Sequence, residues 1–155
     1  MNINDHNNLS ELLLEVDKIA RKAGRKILEI YETDFSIVKK EDNSPLTTAD
    51  TAAHKIICQN LSILSPTTPI LSEESAYIDF TERKEWSKYW LIDPLDGTRE
   101  FIKRNGEFSV NIALIDDHKP ILGVIYIPVI DTSYLAATDY GALKSNKEDG
   151  IKKIS

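Results

Sequence analysis

Two aspartates stand three positions apart at the end of an apolar run, Trp90-Leu91-Ile92-Asp93-Pro94-Leu95-Asp96-Gly97-Thr98. Pro94 restricts the backbone between them, Gly97 permits a tight turn after the second, and Thr98 can open a helix through Arg99-Glu100-Phe101-Ile102. Hard cations such as Mg²⁺ take carboxylate and carbonyl oxygens, and a turn can aim several of them at one point. The same turn, feeding a helix, offers N–H donors to a phosphate. Asp and Gly in a strand-to-helix loop are equally ordinary turn and cap residues, so this motif alone leaves both readings open. An EF-hand is excluded, because Leu95 and Gly97 occupy positions where that loop needs side-chain oxygens. An aspartyl-phosphate mechanism is a further reading, but enzymes known for it separate two aspartates by one residue, and here two intervene.

Other carboxylates add to the case. Glu73 and Glu74 follow a short apolar run, Pro69 to Ser72, which is where a site at a strand end collects acids; alone, the pair reads as a solvated loop. Asp50 stands three residues after Thr47, the spacing of a capping box, which does not exclude a supporting role near a site. Lys103 and Arg104 are read either as phosphate contacts or as solvated turn residues beside Asn105-Gly106. His54 reads as a surface helix histidine, Cys58 as a buried small side chain, and Trp86 and Trp90 as core or rim residues, not a stacking platform.

The elements that must position these residues follow from periodicity. Leu9, Leu12, Leu13, Val16, Ile19, Ala20, Ala23, Ile27, Ile30 and Tyr31 mark one face of a helix over 9–31, with Asn8 and Glu11 spaced as a capping box. Asp34 to Glu41 reads as a short strand and turn, ended by Asn43-Ser44-Pro45. A second helix is predicted from about Thr47 to Leu64, stopped by Ser65-Pro66. Short strands are predicted at Pro69–Ser72, Tyr89–Ile92, Phe108–Ile115, Ile121–Ile127 and Ser133–Thr138, with a helical turn within Thr81–Lys88. Lys144 to Ser155 reads as a polar, Lys-rich tail. The expected class is α+β, with long helices packed on an antiparallel sheet.

Composition narrows the function classes. The 155 residues carry 19 basic and 25 acidic side chains, a net charge of −6, so coating a nucleic-acid polymer is disfavoured. An anionic ligand must then be met by metal ions or backbone N–H donors. A single cysteine forms no internal disulfide and suits a reducing compartment; with three histidines and no CxxC, a structural zinc site is not expected. The N-terminus lacks a basic segment before an apolar stretch, so it does not read as a signal peptide. The longest mostly apolar run, 120–130, is about half of the roughly 20 residues that a membrane span needs. The expected location is cytoplasmic.

Taken together, four segments carry a resemblance: SPLTTAD (44–50), PILSEES (69–75), WLIDPLDGTREFIKRNGEFSVNIALI (90–115) and KPILGVIYIPV (119–129). In this order and at these separations they resemble the inositol monophosphatase-like, lithium-sensitive, magnesium-dependent phosphatases. The continuation from Arg99 to Ile115 is most similar to the CysQ-type 3′(2′),5′-bisphosphate nucleotidases of that family. The resemblance implies a single phosphatase-type domain over 1–155, the N-terminal half of a layered α/β sandwich. It implies Mg²⁺-dependent removal of the 3′-phosphate of 3′-phosphoadenosine 5′-phosphate, with inositol monophosphate as the alternative substrate. It assigns Glu73, Asp93 and Asp96 as side-chain metal ligands and Leu95 as a ligand through its carbonyl, with Asp93 bridging two ions. Catalytic work falls to Glu73, Thr98 and Asp50: Thr98, hydrogen-bonded to Asp50, helps Glu73 orient the attacking water. Substrate contacts fall to Glu73, Leu95, Asp96, Gly97 and Thr98, the last two through backbone donors. In two-metal chemistry one ion lowers the pKa of a water and the other steadies the leaving oxygen.

Relatives of this kind carry a second half with a further metal-binding aspartate in a Trp-Asp motif. After Ala142 the only acids here are Glu148 and Asp149, and no tryptophan follows. The second metal site is therefore expected to be incomplete within these residues. Two readings follow: an enzyme completed by a second half, or a weakly active metal-binding, dimerising half-protein. Either leaves an apolar sheet face open, and self-association is expected. The resemblance also brings association with the inner face of the membrane as an expectation.

Overall fold

The structure, a computed structural model, describes residues 9–33, 45–75 and 77–155. The expected capping box at Asn8 and the strand and turn over 34–41 lie outside them. Apolar residues at helical spacing form α1 (Leu9–Tyr31), with the predicted bounds, and its stripe of Leu12, Leu13, Val16, Ala20, Ala23 and Ile27 is fully buried. The second helix, α2 (Pro45–Leu64), buries Ala49, Ala53, Ile57 and Leu61 along one line and lies against α1. It begins two residues before the predicted start, because proline suits the first helical position, where no N–H is needed. Thr47 and Asp50 consequently lie inside the helix, and the capping-box reading of Asp50 is corrected.

Seven strands form one sheet in chain order: β1 (Ile70–Ser72), β2 (Lys88–Asp96), β3 (Ser109–Asp116), β4 (Lys119–Ile127), β5 (Thr132–Ala137), β6 (Gly141–Asn146) and β7 (Gly150–Lys153). Two short helices, α3 (Phe80–Arg83) and α4 (Thr98–Lys103), precede and follow β2. The α+β class stands, with one amendment to the sheet. β1 runs parallel to β2, across a crossover that contains α3, while every other pair is antiparallel. The predicted polar tail also belongs to the sheet. Residues 144–146 complete β6, and Asn146 Oδ1 accepts the Asp149 N–H at 2.7 Å to turn the chain into β7. β7 is exposed along its whole length, so no alternation marks it in the sequence.

Alternation sorts the sheet into two faces. Trp90, Ile92, Ile112, Leu114, Leu122, Val124 and Leu135 point under the helices and are buried. The indole N–H of Trp90 donates to Ser65 Oγ at 2.7 Å, so this tryptophan is core, as read. α1 crosses β4 at Gly24, where a Cβ would stand 2.4 Å from the Tyr126 ring. Beside that crossing Arg21 binds Asp17 at 2.9 Å, Asp131 at 2.7 Å and the Ser145 carbonyl at 3.1 Å, tying α1 to the far strands. The opposite face is open: Leu91, Ile125 and Tyr134 are 42%, 48% and 38% exposed around a shallow apolar groove of about 540 Å³. Among the described residues no helix is long and apolar enough to cross a membrane.

Candidate metal and phosphate site

The strand expected to end at Asp93 continues to Asp96. Asp93 pairs with Asn111 and Asp96 with Ser109, three steps on β2 against two on β3, so a bulge inserts one extra residue. Pro94 is tolerated there because an irregular ladder does not need its N–H. The bulge buries Leu95, 2% exposed. Asp93 is left half-buried and Asp96 exposed at the same corner.

The next residue must be glycine. Gly97 has φ +89°, and a Cβ on it would lie 2.7 Å from the Glu107 carbonyl. It opens α4 with no side chain capping the first turn. Tyr31, Phe101 and Phe108 hold this helix from beneath, with ring centroids 4.9 to 5.3 Å apart. Arg104 closes α4 in a left-handed conformation, 5.0 Å from the Tyr31 ring, and donates to the Thr33 carbonyl at 3.2 Å. It serves the turn, while Lys103 is exposed, 3.9 Å from Glu100.

The parallel pairing of β1 supplies the other acids. Ser72 is level with Ile92, so the chain leaves β1 as Glu73 beside Asp93. From α2, Asp50 faces the charges of Glu74, Asp93 and Glu73 and keeps its Oδ1 buried without a partner. Burial, followed by the charges of Glu74, Asp93 and Glu73, pushes the Asp50 carboxyl up to about 7. Burial and the charges of Glu73 and Asp96 push Asp93 up to about 6. Asp50, Glu73, Glu74, Asp93 and Asp96 thus feel one another from four places in the chain. Thr98 is exposed at the start of α4. Among the described residues it makes no hydrogen bond to Asp50, contrary to the expectation, and Asp50 Oδ1 is buried without a partner.

The family pattern of the inositol monophosphatases matches residues 8–154. The chain belongs to the inositol monophosphatase family. It is 50% identical over 146 residues to the 3′(2′),5′-bisphosphate nucleotidase CysQ of Shigella flexneri, covering 92% of this chain and 57% of the relative. The protein of the same name from Escherichia coli K12 is 50% identical over 145 residues, with the same coverage. The crystal structure of CysQ from Bacteroides thetaiotaomicron, described as a bacterial member of the inositol monophosphatase family, superposes with a TM-score of 0.80 at 45% identity. It covers 97% of this chain and 53% of that one. The chain spans about half the length of the curated relatives it matches.

For an inositol monophosphatase family member, the donor set suits Mg²⁺. The donors are hard oxygens; Asp93 is raised by burial and by charges that a divalent cation would neutralise, and Asp50 behind it keeps one buried oxygen without a partner. Among the described residues, no three carboxylate, imidazole or thiol groups stand ready to share one ion. Glu73 and Asp96, both exposed, have room to turn inward.

Two participants escaped the sequence reading. Asn111 Nδ2 donates to Asp96 Oδ2 at 3.2 Å, while its own Oδ1 accepts from Ser109 Oγ at 3.1 Å. A polar residue inside the apolar run Ser109–Ile115 was the available signal. His54 is half-buried, not on the surface as expected, and its Nδ1 lies 2.9 Å from Ser72 Oγ. Its place one turn after Asp50, on the same helix face, was the signal there.

Proposed function

We propose that residues 1–155 form one phosphatase-type domain carrying the metal and phosphate site of a Mg²⁺-dependent phosphomonoesterase. Its substrate is 3′-phosphoadenosine 5′-phosphate, whose 3′-phosphate is removed to leave AMP. The observation that carries the reading is the crowding of Glu73, Asp93 and Asp96, with Asp50 behind them, at the bulge that leads into Gly97-Thr98. The relatives named as bisphosphate nucleotidases support the substrate. Glu73, Asp93, Asp96 and the Leu95 carbonyl would hold Mg²⁺. The bound cation supplies positive charge for the phosphate oxygens and lowers the pKa of water.

The chain's own residues do the rest. Gly97 and Thr98 give backbone N–H donors to the phosphate at the uncapped start of α4. Glu73 accepts a hydrogen bond from the attacking water and orients it, with Thr98 on its other side and Asp50 behind. Glu73, Leu95 and Asp96 border the bound phosphate. The water oxygen adds to phosphorus, the P–O3′ bond breaks in line, and a proton ends on the departing 3′-oxygen. The products are AMP and inorganic phosphate. On this reading the enzyme is cytoplasmic, able to associate with the inner face of the membrane, and acts on a small nucleotide and not on nucleic acid.

Phosphate release by the purified chain, with and without Mg²⁺, tests this. Release from the nucleotide that exceeds release from inositol 1-phosphate, needs Mg²⁺ and disappears in Glu73→Gln supports the reading. Preference for inositol 1-phosphate would replace the substrate, and no release from a folded chain would overturn the activity.

The open sheet face favours a second reading, a metal-binding half that associates with a copy of itself or with a completing half. Leu91, Ile125 and Tyr134 lie beside the site on a face that nothing among the described residues covers. Sedimentation distinguishes the two: reversible self-association, reduced by Ile125→Glu, supports this reading, and a stable monomer at high concentration removes it.

A further inference from the structure

Ser72 ends β1 with its side chain 7% exposed, one residue before Glu73. Its Oγ accepts the Glu74 N–H at 3.2 Å, closing the turn on which Glu73 is carried. From α2, His54 places Nδ1 2.9 Å from the same oxygen. Cys58, one turn further on, sets its sulfur 3.7 Å from both ring nitrogens, against the imidazole. A serine hydroxyl has two lone pairs and one proton. With one lone pair given to the Glu74 N–H, the remaining capacity serves His54 in either tautomer. The Asp50 carboxyl, one turn before His54, feels the charge of Glu74 in the same turn. The acidic turn is therefore held from α2 by an imidazole acting through a buried hydroxyl.

We infer that His54 is a positioning residue: through Ser72 it fixes the turn that presents Glu73, and thereby sets the affinity of the site for a divalent cation. The inference rests on the metal-site reading given above. A free turn would sample many orientations of Glu73, and ordering it on binding would lower affinity. Partners behind a ligand typically change metal affinity by about 10- to 100-fold.

The test is Mn²⁺ binding by the 155-residue chain, followed by electron paramagnetic resonance without substrate. His54→Ala and Ser72→Ala are each expected to weaken binding by about tenfold. The double variant is expected to be no weaker than the worse single one, because both remove the same bond. His54→Asn, which can restore a hydrogen bond to the hydroxyl, is expected to recover most of the affinity. Amide exchange at Glu74 is expected to accelerate in Ser72→Ala and in His54→Ala, a readout that does not depend on metal. Unchanged affinity in the single variants, additive losses in the double, or unchanged exchange at Glu74 would overturn the inference. Failure of the parent chain to bind Mn²⁺ would overturn the metal site as well. Normal binding by parent and variants alike would overturn only the role of His54.

Discussion

Asn111 stands opposite Asp93 in the β2–β3 ladder, yet it gives its amide to Asp96, at 3.2 Å. The bulge brings Asp96 back within reach, and the bond from Ser109 Oγ to Asn111 Oδ1 sets which way the amide faces. One oxygen of Asp96 is held while the other stays available to a cation. Asn111→Ala is expected to raise the Mg²⁺ concentration needed for half-maximal phosphate release by about tenfold. The saturated rate should change less, as a titration at fixed nucleotide would show.

Asp93→Asn separates function from stability. Removing this proposed ligand should lower activity by at least the roughly 10- to 100-fold that partners behind a ligand contribute. It also removes a half-buried charge facing Glu73 and Asp96, so the metal-free chain should melt a few degrees higher than the parent. Calorimetry beside the activity assay checks the opposing signs.

The pH dependence of the metal-free chain has a definite sign. Asp50 and Asp93 titrate at about 7 and about 6 when folded, above the ordinary value of 3.8. Between those limits the folded chain binds more protons than the unfolded one, so stability falls as pH rises. The two groups should therefore make the chain melt higher at about pH 5 than at about pH 8, and Asp50→Asn should reduce the difference. Divalent cation binding at about pH 6 should release protons, seen as a heat that varies with the buffer.

Gly97→Ala is expected to damage the corner directly. A side chain at φ +89° costs about 1–3 kcal/mol, and a Cβ 2.7 Å from the Glu107 carbonyl must push β3 or α4 aside. Denaturant melts should show the loss. Phosphate release should fall by more than the unfolded fraction explains, because the two backbone donors move with the corner.

The long helices were legible because burial imposes one period over many residues. The stripe from Leu9 to Tyr31 marked both ends of α1, and alternation around Trp90, Ile112 and Val124 marked the central strands. β7 could not be read this way, because Gly150–Lys153 buries nothing. The parallel course of β1 was hidden as well, since direction lies in pairing and not in residue types. At the site, the acids stood out by type and by spacing within motifs. What holds them did not: His54 meets Ser72 across 18 positions and Asn111 meets Asp96 across 15, distances at which no local pattern operates.

The clamp around Arg21 has a consequence for synthesis on the ribosome. Its partner Asp131 lies 110 positions downstream, and Ser145 lies 124 downstream. At roughly 5–20 residues per second, the interval between making the arginine and making its aspartate is about 5–20 s. Through most of that time the apolar stripe of α1 lacks β4 and β5, the strands that complete its covering. The nascent chain therefore presents an apolar helix face to the cell for seconds. Slow codons before β4 would lengthen that exposure, whereas slow codons after β6 would not.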